Sequence, residues 1–175
     1  IWLYARAWVA ATGGNPDKVT YLEVPFPQMV DATAGGRVDA AFVVEPFYSA
    51  GIAAGAVQHV AWPYNVVQKN IPVAQYVATK TYIAANPGVI EKFSRAYNKG
   101  VDWINQNKGS EEWNKIVAGY TRLKPEQLKG LVIPAYLKTV DPKRMDTVVA
   151  LMKKNGLIEG DVDTKGLLYK TAMAK

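Results

Sequence analysis

The sequence predicts an α/β fold in which a sheet-forming N-terminal part is followed by a helical C-terminal part. Two observations carry this prediction. Up to about residue 80, short apolar or β-branched runs alternate with helix signals, as in βαβ units. Beyond residue 80, amphipathic helix patterns follow one another without a strand between them.

The N-terminal part begins with a helix pattern. Residues 1–14 predict a helix that stops at Gly13-Gly14, and a turn then leads into a strand over residues 19–24. A short helix is expected over residues 28–34. This order of elements makes the segment the first half of a βαβ unit.

The stretch VDAAFVVEPF, residues 38–47, contains an unusually apolar run. Because Ala40 to Val44 are apolar at every position, we expect a strand that is covered on both faces, as in parallel sheets. Pro46 then suits the first position of a helix over residues 47–56. Glu45 stands where the strand leaves the core.

Two further extended segments are expected before the helical part. AVQHVAWPY, residues 56–64, predicts a short strand leading into a loop, and VAQYVAT, residues 73–79, predicts a strand or an extended crossover.

Four helices are predicted after residue 80. Each starts at a capping residue or a proline: Asn86-Pro87, Ser110, Pro125 and Asp141-Pro142. These helices have no sheet of their own to cover. They therefore either form a bundle or pack on a sheet whose strands lie mostly outside this chain.

Composition and charge exclude several kinds of site. The 175 residues carry 21 Lys and Arg against 15 Asp and Glu, but the positive charges are scattered, so nucleic acid is not expected as a partner. Cysteine is absent, which excludes thiolate zinc sites and cysteine nucleophiles. His59 is the one histidine, which excludes any site that needs two imidazoles. We therefore expect no catalytic residues, no metal and no cofactor.

Four segments in order resemble one family. The segments VTYLEVPFPQM, GGRVDAAFVVEPF, PVAQYVAT and NPGVIEKFSRAYNKGVDWINQN are similar to the solute-binding proteins of ABC importers for nitrate, sulfonates and taurine. The resemblance implies a type II periplasmic-binding-protein fold with a parallel-rich sheet, flanking helices and two lobes that close on a small solute. It also implies an ABC permease as partner and a periplasmic or extracytoplasmic location, with a membrane anchor upstream left open.

The resemblance also implies an incomplete two-lobe architecture. Residues 1–72 correspond to the second, middle lobe, residues 73–80 to a hinge crossover, and residues 81–175 to helices that pack on the first lobe. The N-terminal lobe is therefore expected to be missing, which makes the chain a fragment whose partner is that lobe. Apolar side chains such as Val132 are then expected to be left uncovered.

Candidate site residues lie where predicted strands end. Ligands of open α/β sheets bind at the carboxyl ends of strands, next to helix starts. Together with the expected crossover, this predicts ligand-binding residues in three groups: Phe26, Pro27 and Gln28; Glu45, Phe47 and Tyr48; and Gln75 and Tyr76. Glu45 has two interpretations, an acceptor for a donor on the solute or a carboxylate that stabilises a helix start. The aromatic residues are explained equally well as core.

Two other functions share the implied architecture. One is an enzyme similar to the pyrimidine-precursor synthases, which the absence of cysteine and the single histidine disfavour. The other is the effector domain of a LysR-type regulator, which needs an upstream helix-turn-helix and does not suit the EPF and NPGVIEKF segments.

Overall fold

The computed structural model describes residues 1–121, 123–128 and 130–173. Four residues of the predicted helical part lie outside the described residues: Arg122, Lys129, Ala174 and Lys175. The α-helices within the described ranges are α1 (Trp2–Ala11), α2 (Met29–Ala34), α3 (Phe47–Ala53), α4 (Tyr64–Val67), α5 (Lys80–Ala85), α6 (Pro87–Asn107), α7 (Glu111–Thr121) and α8 (Pro142–Lys154). Short 3₁₀ turns occupy Pro16–Lys18, Phe26–Gln28 and Pro125–Leu128.

Most helix boundaries confirm the capping signals of the sequence. Helix α1 ends before Gly13, which has φ 86°, in the left-handed region that glycine adopts without strain. The Ser110 hydroxyl accepts the Trp113 N–H at 3.2 Å at the start of α7. At the start of α8, the Asp141 carboxylate accepts the Lys143 N–H at 3.0 Å. Local signals therefore determine where these helices begin and end.

The predicted parallel sheet is not observed in the described residues. The segments expected as strands, 19–24, 40–44 and 56–61, have no regular hydrogen-bonded structure, and neither does 73–79, which was expected as a strand or an extended crossover. Within the described ranges, pairing is limited to an isolated parallel bridge between Val140 and Met173. A strand forms only where a neighbouring strand satisfies its N–H and C=O groups, and no described segment lies in register to do so. Residues 41–44 are accordingly half-buried rather than covered on both faces.

Three shorter elements also differ from the prediction. Residues 62–65 were expected to form a loop, but Tyr64 and Asn65 lie in α4, and α5 was not foreseen. Helix α5 has a local signal after all, because the Thr79 hydroxyl accepts the Tyr82 N–H at 3.1 Å. The helix expected from Pro125 is a single 3₁₀ turn.

The chain divides into two compact units. Unit 1 comprises Ile1–Lys18, Trp62–Asp102 and Leu137–Lys175, and unit 2 comprises Val19–Ala61 and Trp103–Tyr136. The predicted lobe boundaries at residues 72 and 80 refer to the complete family fold, and they stay a prediction.

Arg6 ties three parts of unit 1 together. Its Nε donates to the Asn155 side-chain oxygen at 3.1 Å, just after α8, and a terminal nitrogen donates to the Pro16 carbonyl oxygen at 3.2 Å. The guanidinium also pairs with Asp17 and lies 4.9 Å from the centre of the Trp2 ring. One side chain thereby joins α1, the following 3₁₀ turn and the end of α8.

A second arginine holds a strained turn in unit 1. Arg144 in α8 donates to the carbonyl oxygens of Lys69 at 2.8 Å and Asn70 at 3.0 Å. Asn70 has φ 56°, a left-handed conformation that asparagine tolerates better than most residues. Ile71 follows and is buried, so the turn is anchored by polar contacts on one side and by apolar packing on the other.

Unit 2 is organised around α2, α3 and α7. Helix α2 packs against α3, and the 3₁₀ turn Pro125–Leu128 packs against both α3 and α7. Leu128 in this turn is 1% exposed and Trp113 in α7 is 6% exposed. Gly51 is buried in α3, where an added Cβ would lie 2.9 Å from Val30 Cγ2.

We expect Gly51→Ala to destabilise the protein. The new methyl would also meet Val57 Cγ2 at 3.1 Å, and valine side chains have little rotamer freedom to move away. The overpacking should outweigh the gain in helix propensity and lower the free energy of unfolding by about 1 to 2 kcal/mol in urea denaturation. Gly119→Ala is the control, because nothing lies within 4 Å of its added Cβ. It should leave stability unchanged or raise it, and an equal loss in both variants would contradict the packing explanation.

Two tyrosines predict a loss of stability at high pH. The rings of Tyr4 and Tyr64 pack edge to face with centroids 4.7 Å apart, between α1 and α4. Burial raises the pKa of Tyr4, and burial followed by the charge of Tyr4 raises the pKa of Tyr64. The unfolded chain therefore loses these protons first, and the free energy of unfolding should fall as the pH rises above about 10. Urea denaturation between about pH 8 and about pH 11 should show a shallower fall for Tyr64→Phe, and parallel curves would refute this linkage.

Candidate functional site

The carboxylate of Glu45 forms a hydrogen-bonded network at the start of α3. Its Oε1 accepts the Ser49 hydroxyl at 2.7 Å and the Val132 N–H at 2.8 Å. Its Oε2 accepts the Ser49 N–H at 3.2 Å. Ser49 is the third residue of α3, so Glu45 satisfies an N–H group that the helix itself leaves without a partner.

The bond to Val132 brings a distant segment against α3. Glu45 and Val132 are 87 positions apart, and both belong to unit 2. The same segment is held at its other end, where the Asn105 side-chain nitrogen donates to the Tyr136 carbonyl oxygen at 3.0 Å. Residues 131–136 therefore lie between two side chains that satisfy their backbone. The spacing of Glu45 and Ser49 hints at the local bond, whereas no sequence pattern points to a backbone N–H so far away.

Phe47 and Tyr48 occupy the first turn of α3. Phe47 is half-buried. The Tyr48 hydroxyl lies 3.2 Å from His59 Nδ1, and the two rings meet edge to face at 5.8 Å. His59 was not among the predicted site residues. No sequence motif surrounds His59 that would indicate a site. Its contact with Tyr48, a predicted site residue, becomes visible only in the fold.

Phe26, Pro27 and Gln28 form the 3₁₀ turn that precedes α2. All three are exposed, and Phe26 retains 39% of its accessible surface. Gln28 lines a concavity of about 190 Å³ together with Asp31 and Arg37. The turn therefore exposes polar and aromatic groups to solvent.

Gln75 and Tyr76 lie in unit 1 and are exposed. The Tyr76 ring meets Phe93 at 5.1 Å and Tyr97 at 5.6 Å, both edge to face, while remaining 75% exposed. It thus rests on two aromatic residues of α6.

The three predicted groups are found at the start of α3, before α2, and in an exposed segment of unit 1.

Two kinds of feature are not found in the described ranges. No cluster of three or more acidic or histidine side chains there could hold a metal ion. No helix in those ranges has both the length and the apolar character needed to cross a bilayer.

Comparison with known proteins places the chain in a family. The model of the NMT1-like family matches residues 1–118, about two thirds of the 175 residues. The chain belongs to the NMT1-like family. The match includes α1 to α6 and most of α7, and therefore both groups of predicted site residues in unit 2 as well as Gln75 and Tyr76.

One relative of this NMT1-like chain is a nitrate/nitrite binding protein, NrtA, from Nostoc sp. The two are 30% identical over 115 residues, which is 65% of this chain and 26% of the relative. The chain therefore spans about a quarter of the length of the curated relative that it matches. No solved structure matches it. These findings support the resemblance to solute-binding proteins, while sulfonate and taurine stay predictions.

Removing the Glu45 carboxylate should destabilise unit 2. Glu45→Ala leaves the Val132 and Ser49 N–H groups without their partner and is expected to lower the free energy of unfolding by about 2 kcal/mol. Glu45→Gln keeps one acceptor oxygen and should lose about half of that. Glu23→Ala is a matched control, because Glu23 is an exposed carboxylate in the same unit, and its change should stay within about 0.5 kcal/mol.

The pair Glu45 and Ser49 can be tested by a double-mutant cycle. If their contact is as close as the 2.7 Å distance indicates, Ser49→Ala should cost less in the Glu45→Ala background than alone, with a coupling of about 1 kcal/mol. Additive losses in urea denaturation would show that the Ser49 hydroxyl and the Glu45 carboxylate do not interact.

Proposed function

We propose that this chain is part of an extracytoplasmic solute-binding protein of an ABC importer, which binds a small sulfonate, taurine or nitrate-like solute and does no chemistry on it. The observation that carries the proposal is the NMT1-like family match over residues 1–118, together with a relative whose name states nitrate and nitrite binding. The partners in this proposal are the solute and a membrane permease. The location is the periplasm or its equivalent outside the cytoplasm, with or without a membrane anchor.

The proposed complete protein has the type II periplasmic-binding architecture. In it, residues 1–72 belong to the second lobe, 73–80 to the hinge, and 81–175 pack on an N-terminal lobe. Exposed apolar side chains in the helical part support the missing partner: Val132 is 49% exposed, Leu137 58% and Tyr120 88%. A contiguous exposed apolar patch is typical of a face that another part of the protein covers, and we propose these side chains as members of such faces in each unit.

The start of α3 is the centre of the proposed site. Phe47 and Tyr48 present an aromatic wall and a hydroxyl there, and Glu45 holds them by capping the helix. In this arrangement Glu45 positions the site through its own bonds. A direct contact with the solute is an additional role, which its remaining lone pairs permit.

The other proposed contacts come from the two remaining groups. Gln28 offers an amide to an oxyanion from an exposed turn, next to Phe26 and Pro27. Tyr76 offers the face of a ring that rests on Phe93, with Gln75 beside it. These residues supply donors and aromatic surface and no positive charge.

The charge of Glu45 bears on the choice of solute. A carboxylate at the site repels a purely anionic ligand and favours a ligand that also carries a donor. Taurine has an ammonium group in addition to its sulfonate, whereas nitrate has no donor at all. We therefore propose an amine-bearing sulfonate ahead of nitrate.

A thermal-shift panel tests the proposal on the 175-residue chain. Taurine, an alkyl sulfonate, an aryl sulfonate and nitrate are compared with sodium chloride at equal ionic strength. A ligand at about 100 times its Kd stabilises the native state by about 2.7 kcal/mol, which raises the Tm by several degrees for a chain of this size. Equal Tm values for all four solutes and for sodium chloride would count against solute binding by this chain.

Two variants distinguish a residue that contacts the solute from one that does not. Tyr48→Phe removes the hydroxyl at the start of α3 and should weaken the best solute severalfold in calorimetric titration. Tyr120→Phe removes a more exposed hydroxyl from α7 and should bind as the wild type does. If the two variants bind alike, Tyr48 is not a contact.

A further inference from the structure

We propose that one exposed face of α6 docks on an anionic phospholipid surface. Lys92, Arg95 and Lys99, named here the basic arc, are three and four positions apart and therefore lie on one side of the helix. All three side chains are exposed. None of them forms an ion pair with the residues that the structure describes.

Negative charges next to the basic arc are already neutralised. The two acidic residues of α6 flank it, and each is taken by a lysine from the C-terminal segment. Lys170 Nζ lies 3.1 Å from Glu91, and Lys138 Nζ lies 2.6 Å from Asp102. The hydrogen bond with Glu91 raises the pKa of Lys170, so that lysine stays charged. Five cations therefore stand against two carboxylates along this part of unit 1.

The opposite face of α6 fixes the direction of the basic arc. Val101 is 3% exposed, and the Tyr97 hydroxyl donates to the Leu137 carbonyl oxygen at 3.2 Å. Both residues lie on the far side of the helix from Lys92 and Lys99. Because the packing face is anchored in unit 1, the basic arc points to solvent.

The composition of the basic arc suits lipid headgroups better than a protein. A stable protein interface has an apolar or aromatic centre within a polar rim. Between Lys92 and Lys99, Ala96 is the one apolar residue that the sequence places on the same side of the helix as these cations. From Lys92 to Lys99 the helix rises about 10 Å. A row of cations of this length, without an apolar centre, matches a plane of phosphate charges and predicts weak, salt-sensitive binding. This inference stands apart from the solute-binding role.

Vesicle binding tests the basic arc directly. The 175-residue chain is sedimented with large vesicles of phosphatidylcholine alone and of phosphatidylcholine with phosphatidylglycerol, at low and at high salt. We expect binding only to the vesicles that contain phosphatidylglycerol and its loss at high salt. The triple variant K92Q/R95Q/K99Q should bind at least tenfold more weakly, since each cation near such a surface contributes roughly fivefold.

A second triple variant controls for net charge. K115Q/K143Q/K154Q removes the same charge from exposed lysines on α7 and α8, outside the basic arc. It should lose less than threefold, and circular dichroism should show equal folding of both variants. Equal losses in both variants, equal binding to uncharged vesicles, or no binding by the wild type would each overturn the proposal. Tighter, arc-dependent binding to polyglutamate than to vesicles would assign the surface to an acidic polypeptide instead.

Discussion

The structure depends on one constraint, which is that backbone N–H and C=O groups outside the helices need hydrogen-bond partners. A helix satisfies most of its own N–H and C=O groups, but the segments between the helices have no strand ladder to do so in the part of the chain that the structure describes. Side chains take over that task. Arg6 reaches the carbonyl of Pro16, Arg144 reaches those of Lys69 and Asn70, and Glu45 accepts the N–H of Val132. Each compact unit is thus held by a few polar side chains as much as by its small apolar core.

This constraint also explains the position of the candidate site. The Glu45 carboxylate accepts an N–H group at the start of α3 and another from Val132 in the segment 131–136. It therefore also fixes the position of the aromatic residues in the first turn of α3. A change at Glu45 would therefore alter the placement of these aromatic side chains and the stability of the fold together. Membership in the NMT1-like family gives this arrangement a functional setting, because the matched residues include the whole of α3.

The sequence predicted the local features and missed those that depend on distant partners. Caps at Ser110 and Asp141 were visible because a cap and the N–H groups it satisfies are neighbours along the chain. The strand at residues 40–44 was inferred from apolar composition, which signals burial but does not supply a neighbouring strand. The Glu45 contact with Val132 and the Tyr48 contact with His59 form only when the chain folds back on itself. Neither residue spacing nor secondary-structure propensity predicts such contacts.

The contact between Tyr48 and His59 has a practical consequence. His59 is the one histidine of the chain, so every imidazole signal in a nuclear magnetic resonance spectrum comes from the two carbon-bound protons of this ring. The Nδ1 atom of the ring lies 3.2 Å from the hydroxyl of Tyr48, in the first turn of α3. The molecule therefore carries its own spectroscopic reporter at the start of this helix, and local rearrangements there can be followed without any label.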